Sequence, residues 1–132
     1  MKSVARFSTL LLSLLLACGG HSPTDPIDSQ ARGRLAGLVT IGPNCPGPTD
    51  CPTPPSAYTL RKILVYTADR AQLVVTVDID NQGLYAADLI PGTYLVDLKG
   101  VGADRTSDLP KTVDIHAHVT TTLNVNIDTG LR

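Results

Sequence analysis

Residues 73–99 read LVVTVDIDNQGLYAADLIPGTYLVDLK, and this stretch decides the fold. Leu73, Val75, Val77 and Ile79 alternate with weaker or polar positions, the period of two that marks a strand with one buried face. Asp80-Asn81-Gln82-Gly83 then interrupts the run. An Asp side chain accepts bonds from the backbone just ahead of it, and a Gly takes the positive φ that a tight hairpin turn needs. A second short run, Leu84–Leu89, ends at Pro91-Gly92, another turn pair, and residues 93–99 form a third. Three strands and two turns fill the stretch, which leaves no room for a helix.

The same period extends in both directions. Upstream, Leu35, Gly37, Val39 and Ile41 form one alternating set, and Ile63 and Val65 follow Arg61 and Lys62 in a run over residues 60–67. Downstream, the runs over residues 112–118 and 119–127 place Val113, Ile115, Ala117 and Val119 on one face, with Leu123, Val125 and Ile127 continuing it. Gly100-Val101-Gly102 and Leu109-Pro110 punctuate them. About seven strands at a spacing near ten residues predict an all-β fold, an antiparallel Greek-key β-sandwich, with a small barrel as the structural alternative.

Composition agrees with this reading and excludes several functions. All 12 acids are Asp, and the chain holds 11 Gly and 10 Pro, a bias toward turns and strands. Aromatic residues are 4% of the chain and Trp is absent, so stacking platforms for bases or sugars are poorly supplied. The formal net charge of -1 offers no basic footprint, and nucleic acid is not an expected partner.

Asp80-Asn81-Gln82-Gly83-Leu84-Tyr85 followed by Leu89-Ile90-Pro91-Gly92-Thr93-Tyr94 resembles the D-x-x-G-x-Y then L-x-P-G-x-Y signature of carboxypeptidase regulatory-like domains. These are prealbumin-like (transthyretin-like) sandwiches, and Gly37-Leu38-Val39 is similar to the G-x-V opening of their first strand. The resemblance spans roughly residues 35–127, nearly the whole of the domain. It implies turn roles for Asp80, Gly83, Pro91 and Gly92, and packing roles for Tyr85 and Tyr94 at the strand starts. It also implies an accessory, structural or binding module. The related transthyretin-like hydrolases end in Tyr-Arg-Gly-Ser, whereas this sequence reads Asp128-Thr129-Gly130-Leu131-Arg132, so their activity does not carry over. Collagen-adhesin-type relatives form Lys-Asn isopeptide bonds beside a buried acid. Here the first strand lacks Lys, Glu is missing, and Asn124 and Asn126 are expected to face outward.

The N-terminus carries an address. Lys2 and Arg6 precede an apolar run from Leu10 to Leu16, broken only by Ser13, which is the pattern of a secretory signal peptide over residues 1–17. Leu15-Leu16-Ala17-Cys18 resembles the lipobox of bacterial lipoproteins, which implies acylation of Cys18 and a membrane as partner through that lipid. The expected location is the cell envelope, and the outer membrane in a diderm host because Gly19 rather than Asp follows the cysteine. Residues 18–33 are rich in Gly, Ser, Asp and Pro and read as a flexible tether to a domain over residues 34–132. The signal segment contains two of the 11 basic residues and no acid, so the remainder is mildly acidic.

With Cys18 assigned to lipid, Cys45 and Cys51 remain, and an even pair in an exported chain predicts a disulfide. Zinc on these two thiols lacks a second Cys pair or a nearby His. Six of the ten prolines fall within residues 43–55, a stretch read as neither helix nor central strand.

Candidate chemistry is sparse. The D-x-D-x-x-G look of residues 78–83 resembles a calcium loop, but loop position twelve is Leu89 rather than a bidentate acid. Asp114, His116 and His118 alternate along a predicted strand, so they share its outer face and could hold a metal. The competing reading is a solvated polar face. Ser56 and Ser107 are the serines of the domain, and neither sits in a nucleophile elbow. No cofactor is implied. The expectation is a non-catalytic, lipid-anchored structural or protein-binding module whose partner is an envelope protein or glycan. The alternatives are a carbohydrate or peptide binder, and a metal-handling lipoprotein or small hydrolase built on the histidine strand.

Overall fold

The computed structural model describes residues 31–49 and 51–132, so the expected signal peptide over residues 1–17, the expected acylation site Cys18 and most of the expected tether lie outside the described residues. Two sheets face each other. The first is built on β1 (Gly33–Gly42), which pairs with β4 (Leu84–Leu89) on one side and with β7 (Thr120–Thr122) and β8 (Val125–Asp128) on the other. The second has the order β3 (Leu73–Asp78), β2 (Lys62–Thr67), β5 (Gly92–Lys99), β6 (Lys111–Ile115). The chain enters the first sheet with β1, crosses for β2 and β3, returns for β4, crosses again for β5 and β6, and returns for β7 and β8. The β-sandwich expected from the alternation is the observed fold.

Alternation places the core between the sheets. Leu35, Val39, Ile41, Tyr85, Leu89, Val125 and Ile127 from the first sheet meet Ile63, Val65, Val77, Val96, Val113 and Ile115 from the second, all buried. These side chains are mostly β-branched or aliphatic, the types that fit a pleated half-buried surface. Their burial supplies most of the drive to fold, at roughly 25 cal/mol per Å² of apolar surface removed from water.

The structure corrects the strand map in several places. Among the described residues there are eight strands rather than about seven, because the expected strand over residues 119–127 is split at Leu123 and Asn124. The pairing is not wholly antiparallel: β1 runs parallel to β7 and β8, as follows when the chain returns to the first sheet by crossing over the second. The turn at residues 80–83 joins β3 to β4 in different sheets, so it is a crossover turn and not a hairpin within one sheet. A five-residue helix, Pro55–Thr59, begins at the last proline of the proline-rich stretch. Pro55 sits at the first helical position, where its missing N–H costs nothing.

The largest correction concerns the histidine strand. β6 ends at Ile115, and residues 116–119 form a turn closed by the Val119 amide donating to the His116 carbonyl at 3.2 Å. His118 has φ 60° and its amide donates to the Arg32 carbonyl at 2.9 Å. The chain must leave the second sheet here to reach β7, so strand parity stops. Ala117 is half-buried, and Val119 is 48% exposed rather than in the core.

Candidate functional site

The centre of the first sheet is shaped by a close approach of backbones. A Cβ on Gly37 would lie 1.9 Å from the Leu123 carbonyl oxygen, so only glycine fits beside the break between β7 and β8. The Tyr85 ring packs on the core side of the same point, and its hydroxyl donates to the Leu123 carbonyl at 2.5 Å. Burial pushes this phenol up to about 12. On the outer side, the Asn124 carboxamide oxygen accepts from the Leu38 amide at 3.0 Å, which fills the position a β-strand carbonyl would take. Asn126 similarly accepts from the Thr40 hydroxyl at 3.0 Å. Asn124 and Asn126 are both exposed, as expected, and both bond to β1.

This junction opens a shallow depression of about 550 Å³ on the outer face. In register, Ala36 lies opposite Ala86 and Leu38 opposite Leu84, so the floor is small and aliphatic. Leu38 is 40% exposed and Leu84 49% exposed, although a strand that only closed a core would place polar residues there. The rim is polar: Arg34, Asp78, Asp80, Thr122 and Asn124. Arg34 pairs with Asp88 at 3.1 Å, and Asp78 with Lys62 at 2.7 Å, both at the surface. Among the described residues no Ser, Cys, His or Lys lines the depression. Its chemistry is that of an apolar strip with hydrogen-bonding edges.

The signature residues have structural duties around this face. Asp80 Oδ1 accepts from the Gln82 and Leu84 amides, each at 2.8 Å, and so fixes the turn that sets Leu84 on the outer face. Gly83 has φ 86°, and a Cβ there would meet the Val39 carbonyl at 2.4 Å. Pro91 and Gly92 carry the crossover from β4 to β5, where the Tyr94 hydroxyl donates to the Ile90 carbonyl at 2.7 Å. None of these side chains is arranged for chemistry.

Asp114, His116 and His118 are not brought together. Asp114 is in β6 and accepts from the Thr93 hydroxyl at 2.7 Å, while both histidines are exposed in the turn beyond it. Among the described residues no group of three His, Cys, Asp or Glu is placed to hold a metal ion. Cys45 and Cys51 are joined by a disulfide with a Cα–Cα distance of 5.7 Å. Ser56 and Ser107 are both exposed.

One structural pair escaped the sequence reading. Arg61 donates to both oxygens of Asp104, at 2.6 and 2.8 Å, and to the Ala57 carbonyl at 2.5 Å. The side chains are only 9% and 3% exposed. Burial raises the Asp104 carboxyl, but the bonds from Arg61 and the Val101 amide outweigh it and hold the group below the ordinary carboxylate value. Hydrophobic periodicity carries no signal for such a pair, since Arg61 precedes β2 and Asp104 lies in a loop.

No protein-family model matches the sequence, and no curated protein matches it. The fold does match solved structures. One is GBS52, the minor pilin of Streptococcus agalactiae, at 15% identity and a TM-score of 0.53, covering 75% of this chain and 45% of the pilin. Another is a DUF3823 family protein from Parabacteroides merdae, at 16% identity and a TM-score of 0.46, covering 73% of this chain and 45% of that one. The chain thus spans less than half the length of either. Identities this low speak for the fold alone.

Proposed function

We propose that this chain is a non-catalytic, lipid-anchored module of the cell envelope that binds another envelope protein on the outer face of the β4-β1-β7 sheet. The depression between Leu38 and Leu84 carries this reading, because two large aliphatic side chains stand exposed across an alanine floor with polar edges. Aliphatic floors suit an apolar protein segment, whereas a glycan needs aromatic stacking faces, and the one ring beneath the floor, Tyr85, is buried. The lipobox-like Leu15-Leu16-Ala17-Cys18 supports the anchor. A pilin fold neighbour and the resemblance to accessory carboxypeptidase regulatory-like domains support a structural role at the surface.

Two measurements test the two halves. Replacing Cys18 with Ser should move the protein from the membrane fraction to the soluble fraction; retention of the variant in membranes overturns the anchor. A photocrosslinking residue at position 84 in intact cells should give a discrete adduct that Leu38→Lys abolishes, while the same probe at Lys111, on the other sheet, gives none. An adduct at both positions, or one indifferent to Leu38→Lys, overturns the binding face.

A further inference from the structure

Four of the nine large apolar side chains exposed among the described residues lie at one end of the sandwich. β1 starts there, β4 ends there, β3 starts there, and the β6–β7 turn closes over it. Arg32, immediately before β1, lines a cleft with Val74, Ile90 and Tyr94 on one side. On the other side the Arg32 carbonyl accepts from the His118 amide, and the Arg34 amide donates to the Val119 carbonyl. Leu73, Val74, Ile90 and Val119 are between 42% and 48% exposed around this point. Leu73 and Val74 open β3, Ile90 follows β4 and Val119 precedes β7, so the fold brings three separate segments to this end.

We infer that this end rests on the bilayer that holds the lipid anchor, with Ile90 and Val119 dipping into the interface between headgroups and acyl chains. The inference rests on the lipid-anchor reading and adds an orientation to it. The occupant follows from where the chain leaves the domain. Thirteen residues separate Cys18 from Arg32, so whatever their conformation the two lie within about 50 Å of each other. The end bearing Arg32 is therefore held near the membrane at an effective concentration in the millimolar range. At that concentration a contact of only millimolar affinity is substantially occupied, so a few partly inserted aliphatic side chains suffice.

Charge neither drives nor forbids the contact. Arg34 and Arg70 are paired with Asp88 and Asp97, while Asp69 and Asp114 stay anionic although they accept from the Thr67 and Thr93 hydroxyls, so Arg32 offsets one of two carboxylates at this end and the contact rests on the apolar side chains. The outer-face depression runs along the side of the sandwich and stays clear of the membrane in this orientation.

The absence of Trp from the chain supplies the test. The acylated protein carrying Val119→Trp is reconstituted into vesicles of phosphatidylethanolamine and phosphatidylglycerol with brominated acyl chains. Leu131→Trp, at the opposite end beyond β8, serves as the control reporter. Vesicle flotation first reports the anchor. The Val119→Trp reporter should be quenched at least threefold more than the control, and adding Ile90→Asp should remove most of that difference. Protein that floats with both reporters equally quenched overturns the membrane contact alone. Protein that does not float overturns the anchor and this inference together.

Discussion

The Tyr85 hydroxyl donates to the Leu123 carbonyl at 2.5 Å, on the buried side of the point where β7 gives way to β8. Two strands on opposite flanks of β1 are thereby joined through a side chain at the place where the backbone ladder is interrupted. Tyr85→Phe keeps the ring and leaves the Leu123 carbonyl short of a donor, which should cost about 1–3 kcal/mol. The phenol, pushed up to about 12 by burial, also sets a pH dependence. Its folded value lies above the unfolded value of about 10, so its contribution is fully present below about pH 10 and is lost as pH rises toward the folded value. Denaturant titrations at rising pH should show the wild type losing more stability than Tyr85→Phe above about pH 10. Parallel losses would separate the hydroxyl from the effect.

The glycine on the other side of that carbonyl gives a sharper contrast. A Cβ at Gly37 meets backbone at 1.9 Å, and at Gly42, in the same strand, it meets nothing within 4 Å. Gly37→Ala should fall at or beyond the upper end of the roughly 1–3 kcal/mol that overpacking costs. Gly42→Ala should be neutral or slightly stabilising, since it lowers the entropy of the unfolded chain. Thermal melts of the two variants decide it, and similar melting temperatures would refute the close approach.

What the sequence disclosed follows from what period two can encode. Val39, Ile41, Ile63, Val65, Val77, Ile79, Val125 and Ile127 are buried because alternation within a strand is a local property. Asp80 and Gly83 were legible for the same reason, since their turn is closed by bonds within five residues. Parity failed after Ile115, where the chain changes sheets and nothing in the spacing of His116, Ala117, His118 and Val119 records the departure. The outer-face depression was also illegible. Leu38 and Leu84 look like ordinary strand residues until the register sets them side by side.

The buried Arg61–Asp104 pair should be costly to break and informative in acid. Removing either partner leaves the other charge in a nearly dry site, and Arg61→Ala or Asp104→Asn should each lose about 3–5 kcal/mol. The double variant should lose less than the sum. Because the Asp104 carboxyl is held below its unfolded value of about 3.9, its contribution is present above that pH and lost as pH falls through the folded value. Acid titrations should therefore show the wild type and Asp104→Asn converging below about pH 4. Additive losses and parallel acid curves would show the pair to be incidental.

The Cys45–Cys51 bridge closes a short loop that is fastened to the sheet by Asn44. Its carboxamide nitrogen donates to the Ile41 carbonyl at 3.1 Å and to the Thr53 hydroxyl at 2.9 Å. Loop-closure entropy for so few residues is worth at most about 2 kcal/mol. Reduction should lower stability by no more than that and leave the strand signal in far-ultraviolet dichroism unchanged. Thiol titration of the unfolded, unreduced protein beginning at Cys18 should find neither Cys45 nor Cys51 free. Two free thiols, or collapse of the sheet on reduction, would overturn the assignment.

His116 and His118 sit in one turn but should respond differently. His116 is exposed, and its structural part is played by its backbone: the carbonyl accepts from Val119 and lies 2.2 Å from where a Cβ on Gly33 would stand. His116→Ala should change stability by less than about 0.5 kcal/mol. His118 holds φ 60°, a left-handed conformation that costs an L-residue roughly 1–2 kcal/mol and costs glycine almost nothing. His118→Gly should therefore match or exceed the wild type, by up to about 1 kcal/mol once the added freedom of the unfolded chain is offset. Thermal melts without metal, and again with micromolar zinc, test both points. A large loss in either variant without metal would give that side chain a structural part, whereas a zinc-dependent rise in the wild type that both variants lack would mean that the turn gathers into a metal site on binding, with the two side chains as ligands.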